Sequence, residues 1–512
     1  MRASGILMPV FSLPSPYGIG TFGKEAYEFV DFLKEAEQSY WQILPLSPTS
    51  FGDSPYQSFS SYAGNPYFID LDILCEKSLL KREDYENIDF GSFEEEVDYE
   101  KLYNNRYKVL KIAYDNFDRQ NRQYQNFCQE EKEWLNDYAL FMAIKDSENG
   151  EAWYSWEHSL KFRDKESLGK KENELREDIE FYKFLQFEFF SQWWALKKYA
   201  NENGIKIIGD MPIYVAYDSA DVWSKPEQFL LDSELNPTLV AGCPPDAFSD
   251  EGQLWGNPVY NWEYMKKEET PFSWWRCRIK FAFKVYDVVR IDHFRGFESF
   301  YTIKYGEETA KNGAWLKGPD MELFDFVKQD FMEKELPIIA EDLGFLTEEV
   351  ELLLKNSGFP GMKVLQFAFD GESDNQYLPH NYQRNCVVYT GTHDNDTING
   401  WANTANKSEV EFATRYVHQN GGEGFNWAMI KTALMSVADT AIIMMPDLLG
   451  MGSEARINTP STVGDNWKWR IKKECINPWL AGIVRENTLL YGRASDDEKI
   501  LTSKKKHDII KQ

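Results

Sequence analysis

Short apolar runs alternate along this chain with longer stretches whose apolar residues recur at intervals of three and four. That alternation is the mark of strands and helices taking turns around a parallel sheet. Eight runs read as strands: Gly5 to Val10, Trp41 to Leu46, Ile205 to Val215, Tyr286 to Ile291, Leu336 to Ala340, Met362 to Phe369, Cys386 to Tyr389, and Ala441 to Met445. Eight in succession predict a closed (β/α)8 TIM barrel rather than an open sheet. The interval between the second and third runs is far longer than one crossover helix, which predicts a large, mostly helical insertion over residues 73–200. Its last helix is the clearest, with Phe181, Phe184, Leu185, Phe189, Trp193, Leu196 and Ala200 on one face and Gly204 where a C-terminal cap belongs. Residues 242–262, GCPPDAFSDEGQLWGNPVYNW, lack either period and are rich in Pro, Gly and aromatics, so they read as a long ordered active-site loop on the barrel rim. On this reading residues 1–512 are a single catalytic barrel carrying both insertions.

Composition agrees with a folded globular chain, at 43% apolar and 27% charged residues. Charge narrows the partners, because 83 acidic residues against 56 basic ones give a net charge of −27 that repels phosphate backbones and anionic lipid. Nucleic acid and membranes are therefore not expected as partners. No apolar run approaches the roughly 20 residues of a membrane span, and Pro9, Pro14 and Pro16 interrupt the one candidate leader. Six cysteines without a CxxC pair read as reduced, buried thiols, and together these features predict a cytoplasmic protein.

The chemistry is carried by acids at the ends of the apolar runs. IKIIGD ends on Asp210, DVVRID on Asp292, PIIAED contains Glu341 and VVYTGTHD ends on Asp394. In a barrel these strand ends share one mouth, and converging carboxylates repel unless they are put to use. Retaining glycoside cleavage is such a use, since it needs one carboxylate as nucleophile and a second as acid and then base. Arg290 lies on the same strand face as Asp292 and can hold it ionised, which suits Asp292 to the nucleophile's role. Glu341 follows an apolar run, where desolvation raises a carboxyl's pKa and suits it to the acid's role. Asp342 beside it faces the other way and reads as structural. Among the aromatics, Tyr56, Phe248 and Trp255 stand out as sugar-stacking candidates, flanked by the polar residues Asp53, Asp246 and Gln253. Gly18, Gly20 and Gly23 fit GxGxxG, but two prolines separate them from the strand and no ribose-binding acid ends the second strand, so a nucleotide site is set aside.

Ten segments, in order, resemble glycoside hydrolase family 77, the amylomaltases or disproportionating enzymes of the alpha-amylase clan. They are SLPSPYGIGTFG, YWQILPLSPT, GDSPYQSFSSYAGNPYFIDL, GDMPIYVA, PPDAFSDEGQLWGNP, VRIDHFRG, IIAEDLG, GFPGMKVLQFAF, THDND and RINTPSTVGDNWKWR, and they span nearly the whole chain. The resemblance implies a 4-alpha-glucanotransferase acting on malto-oligosaccharides and soluble alpha-glucans. It makes Asp292 the nucleophile, Glu341 the acid/base and Asp394 the stabiliser of the transition state. It also implies that Tyr56, Asp210, Arg290, His293 and His393 hold the glucose unit under attack. Tyr214 and Val215 stand where amylases carry Asn and His after the third-strand acid, which separates this chain from them and puts their nearby calcium site in doubt. With no metal-ligand spacing and no phosphate-binding loop, neither metal nor cofactor is expected. Two rivals stay open at this point: an alpha-glucan hydrolase using the same acids, and a glucan-binding protein that does not turn over.

Overall fold

Residues 2–91, 95–245, 250–333, 335–344 and 346–494 are described by the computed structural model. Each of the eight apolar runs contains a strand: β1 Ala3–Leu7, β2 Tyr40–Gln42, β3 Lys206–Met211, β4 Val288–Ile291, β5 Ile338–Ala340, β6 Gly361–Val364, β7 Cys386–Tyr389 and β8 Thr440–Met444. Every neighbouring pair is parallel and β1 closes onto β8, so the fold is a (β/α)8 barrel with all C-terminal strand ends at one mouth. The runs are longer than the ladders because apolar residues continue past them. After β2, for example, Ile43, Leu44 and Leu46 stay buried in the loop that leaves the barrel.

Between β2 and β3 run the helices Tyr99–Asp115, Arg122–Glu130, Lys132–Ser147, Lys165–Glu174 and Arg176–Glu202. The last is buried on more than the one face its pattern announces, because it packs on the barrel and on its helical neighbours at once. Its two buried glutamines make this possible without leaving polar groups unpaired. Gln186 accepts from the Gly64 amide at 2.7 Å and donates to the same residue's carbonyl at 2.9 Å. Gln192 does the same with Asp70, at 2.7 and 3.3 Å. Each side chain thus stands in for a neighbouring strand and pins the segment that follows β2. At Gly64 the helix comes so close that a Cβ would lie 2.1 Å from the ring of Phe189, so only glycine fits.

Two expectations need correcting. Residues 242–262 are not a loop throughout: Leu239–Cys243 and Gln253–Pro258 are antiparallel strands of a four-stranded sheet completed by Ser299–Lys304 and Ala314–Lys317. The period of two was hidden by Gly252 and Gly256, both at positive φ, and by a register shift between Val240 and Gly242. The cysteines are all free, but only Cys386 is fully buried and Cys277 is exposed, since Cys277 lies on the outer side of the Ser273–Val285 helix. Among the described residues no helix is long and apolar enough to cross a membrane.

The seam between β1 and β8 is held from below by one side chain. Arg493 is fully buried and donates to the carbonyls of Ala3, Leu434 and Ala438 at 2.9, 2.7 and 3.1 Å. Burial, with Arg2 nearby, lowers its pKa to about 9, yet the carbonyls leave it well solvated by protein. Arg493→Met should remove these hydrogen bonds at the barrel floor, leaving Leu434 only its bond from Arg2, and cost at least about 2 kcal/mol of stability. Chemical denaturation read against the unmodified chain checks this, and a loss within ~0.5 kcal/mol would show that the clamp is dispensable.

Candidate active site

The floor of the barrel mouth is built around one guanidinium. Asp210 in β3 and Arg290 in β4 are register partners, so their side chains leave adjacent strands on the same face. Arg290 Nη1 donates to both Asp210 oxygens at 2.7 Å, and Nη2 donates to Asp292 Oδ1 at 3.0 Å. Asp292 follows β4, with its amide bonded to the Met211 carbonyl at 3.0 Å. Its other carboxylate oxygen has no hydrogen-bond partner among the described residues and faces the mouth. Tyr56, arriving on the loop after β2, donates its hydroxyl to Asp210 at 2.7 Å and stacks on His393 at 5.0 Å between ring centres.

Glu341 follows β5 and is held by backbone. Oε2 accepts from the His293 amide and Oε1 from the Leu343 amide, both at 2.7 Å. His293 reaches this position in a left-handed conformation, φ 50°, which costs backbone energy at a functional position. Burial raises the pKa of Glu341 and the Asp292 charge raises it further, against Arg290 and the two amides. Burial also raises Asp292, but Arg290 pulls it back. Glu341 forms no ion pair among the described residues, whereas Asp292 does. Asp342 faces away: it accepts from the Met362 amide at 2.6 Å and fills the space that Gly361 leaves empty.

Asp394 lies on the loop after β7 under different forces. Burial would raise it, but the charge and hydrogen bond of His393 and the hydrogen bond of Asn458 bring it down to about 2. Asn458 Nδ2 donates to Oδ1 at 2.6 Å, and His393 Nε2 lies 3.3 Å from Oδ2. His393 itself is held above its usual pKa: burial lowers it, but the charge and hydrogen bond of Asp394 together with the Asp210 charge more than offset burial. His293 goes the other way, to about 3, through burial and the Arg295 charge.

All three acids open into one cleft of 1070 Å³, above the roughly 300–1,000 Å³ of ordinary small-ligand pockets. Tyr56, Gln253, Trp255, His293 and His393 line it as well. Trp255 stands edge-on to His293 at 4.9 Å and donates to Gln253 at 3.1 Å. Asp210 and Arg290 do not line it. They sit beneath its floor, nearly inaccessible, and hydrogen-bond to the cleft-lining Tyr56 and Asp292. Asp246 and Phe248 lie outside the described residues. Among the described residues no group of three or more His, Cys, Asp or Glu is placed to hold a metal ion.

A family model described as 4-alpha-glucanotransferase matches residues 8–476. The chain belongs to the 4-alpha-glucanotransferases of glycoside hydrolase family 77. A relative of that name from Clostridium butyricum is 55% identical over 489 residues, 95% of this chain and 100% of its own length. Another, from Thermus thermophilus, is 46% identical over 489 residues, 93% of this chain and 96% of its own. Among solved structures, the amylomaltase from Streptococcus agalactiae in complex with acarbose superposes with a TM-score of 0.94 at 45% identity, covering 97% of this chain and 100% of that one. An amylomaltase from Corynebacterium glutamicum, at 18% identity and a TM-score of 0.75, shares the fold.

For this glucanotransferase, sequence reasoning gave no role to Asn458, which sits 64 positions from Asp394, although it lies in the family-like segment RINTPSTVGDNWKWR. The pKa pattern has a consequence for stability. A carboxyl whose folded pKa is raised costs nothing below its unfolded pKa and destabilises the fold once pH rises through the folded value. Glu341→Gln removes that cost, so its stability relative to the unmodified chain should improve between about pH 5 and about pH 8. Thermal midpoints of both proteins at the two pH values give the test, and a difference independent of pH would show that Glu341 is not raised.

Proposed function

We propose that this 4-alpha-glucanotransferase works by retaining double displacement on alpha-1,4-glucans, with Asp292 as nucleophile, Glu341 as acid/base and Asp394 as transition-state stabiliser. The observation that carries the reading is the asymmetry of Asp292: one oxygen is fixed by Arg290 and the other is left free in the cleft. A nucleophile needs that combination of orientation and an open lone pair. Glu341, raised by burial and unpaired by any cation of its own, suits the proton donor. The acarbose carried by the Streptococcus agalactiae amylomaltase, a sugar-like occupant of a closely similar fold, agrees with a glucan in this cleft.

In the first step the Glu341 proton passes to the glycosidic oxygen as that oxygen leaves C1 with the reducing-side fragment. The free oxygen of Asp292 bonds to C1 and inverts it, giving a glucosyl ester. Glu341, now ionised, takes the proton of an acceptor 4-hydroxyl, whose oxygen displaces Asp292 and inverts C1 again, so the linkage is retained. Asp394, already ionised, stays a carboxylate through the cycle and grips sugar hydroxyls as the ring flattens. His293 Nε2 is buried without a partner among the described residues and lines the same cleft, so a sugar hydroxyl would satisfy it. Tyr56 and His393 stack as a wall against the same sugar, while Asp210 and Arg290 act from beneath.

Asp292→Ala should lower turnover by at least about a thousandfold while leaving the fold and glucan affinity largely intact, as measured by single-turnover kinetics and titration. Near-normal turnover would remove Asp292 from its role.

Transfer against hydrolysis is decided at the shared ester. With maltotriose the unmodified enzyme should give glucose together with maltopentaose and longer chains at a nearly constant total of reducing ends. Trp255→Ala should open the ester to water and raise the reducing ends. A steady rise in the unmodified enzyme, with only glucose and maltose formed, would mean that water is the normal acceptor.

A further inference from the structure

The cleft holds a second aromatic cluster that the chemistry above does not use. Tyr154, Tyr217 and Tyr305 line the same cavity as the three acids, yet none makes a ring contact with Tyr56, Trp255 or either active-site histidine. They come from three places: Tyr154 from the short turn Trp153–Ser155 of the helical insertion, Tyr217 from the loop after β3, and Tyr305 from just past the strand Ser299–Lys304. Tyr154 and Tyr217 stack at 4.5 Å with planes 4° apart, and Tyr305 meets Tyr217 at 6.3 Å and 73°. Tyr154 is 37% exposed and Tyr305 47%, so broad ring surface is left facing the cleft.

This surface is held rigidly from behind. Lys145, itself buried, donates to Asp218 at 2.6 Å and to the Glu151 carbonyl at 3.2 Å. The fully buried Trp153 donates its indole N–H to the Tyr217 carbonyl at 2.7 Å, and Tyr217 donates its hydroxyl to the Leu235 carbonyl at 2.7 Å. Those bonds tie the insertion to the loop after β3 and fix the tyrosines beforehand, which lowers the cost of ordering them on binding. Flat rings suit the C–H face of a pyranose, while Lys145 and Asp218 line the cavity beside them with a donor and an acceptor for hydroxyls.

We propose that Tyr154, Tyr217 and Tyr305 form a distal glucosyl subsite, gripping a unit of the alpha-glucan remote from the bond that is cut, so that the helical insertion sets the preference for longer chains. The proposal rests on the reading of this cleft as a glucan site. It is tested by the ratio of kcat/KM for maltoheptaose to that for maltotriose, in the unmodified enzyme and in Tyr154→Ala, Tyr305→Ala and Tyr154→Phe. Tyr154 and Tyr305 are exposed and carry no side-chain hydrogen bond among the described residues, so the alanine variants should fold, which thermal midpoints check. Each alanine variant should lower the ratio about three- to tenfold, and Tyr154→Phe, which keeps the ring face, should restore it. An unchanged ratio in the alanine variants, or a loss in Tyr154→Phe equal to that in Tyr154→Ala, overturns the subsite. Failure of the functional reading looks different: the unmodified enzyme would then make only hydrolysis products from maltotriose, whatever the ratio.

Discussion

One buried guanidinium organises the mouth of this barrel. Arg290 is shared between Asp210, which takes both hydrogen bonds of one nitrogen, and Asp292, which takes one from the other. Two carboxylates this close would repel and rise in pKa without it, and a lone arginine at this depth would be costly to desolvate. The trio therefore exists only as a unit. Its geometry is dictated by the register of β3 on β4, which sets Asp210 opposite Arg290. From that unit the rest follows outward: Tyr56 is oriented by Asp210, His393 by Tyr56 and Asp394, and Glu341 feels the Asp292 charge.

Charge balance explains why four acids can share the place. With Glu341 protonated and His393 drawn toward its charged form, three carboxylates face two cations. The set is left one positive charge short, and an oxocarbenium-like sugar supplies it at the transition state. Binding a neutral glucan leaves that deficit untouched. The site is thus most favourable for the species it must stabilise briefly, and burial raises both Glu341 and Asp292 in keeping with that deficit of positive charge.

The barrel was legible in the sequence because each strand lies in a mostly apolar run, and the acids were legible because they fall at or near the ends of those runs. The ten family-like segments carried the roles further. What escaped notice is instructive. The four-stranded sheet joins unlike strands: Ala314–Lys317 is exposed at all four residues, while Leu239–Cys243 and Ser299–Lys304 are mostly buried, so no shared pattern announces it. Asp210 and Arg290 were expected against the sugar and are instead almost inaccessible, because as register partners on adjacent strands they leave on the same face and pair with each other at the base of the mouth. Tyr154 and Tyr305 are ordinary surface tyrosines in sequence, and only tertiary folding sets them in one cleft with Tyr217.

Transfer of an alpha-1,4 linkage breaks a bond of the kind it makes, so the reaction has little thermodynamic drive and its outcome is a matter of competition at the ester. Water is abundant and small; an acceptor glucan is dilute and must be held. An enzyme can favour the acceptor only through binding that raises its effective concentration and orients its 4-hydroxyl. A cleft of 1070 Å³ with aromatic surface in two separate clusters provides that in a way that a pocket fitted to a single glucose could not. The helical insertion, which contributes nothing to the three acids, then gains a role. By fixing Tyr154 against Tyr217 it lengthens the surface over which a glucan can be held, and each added contact acts on the acceptor and donor chains while leaving water unaffected.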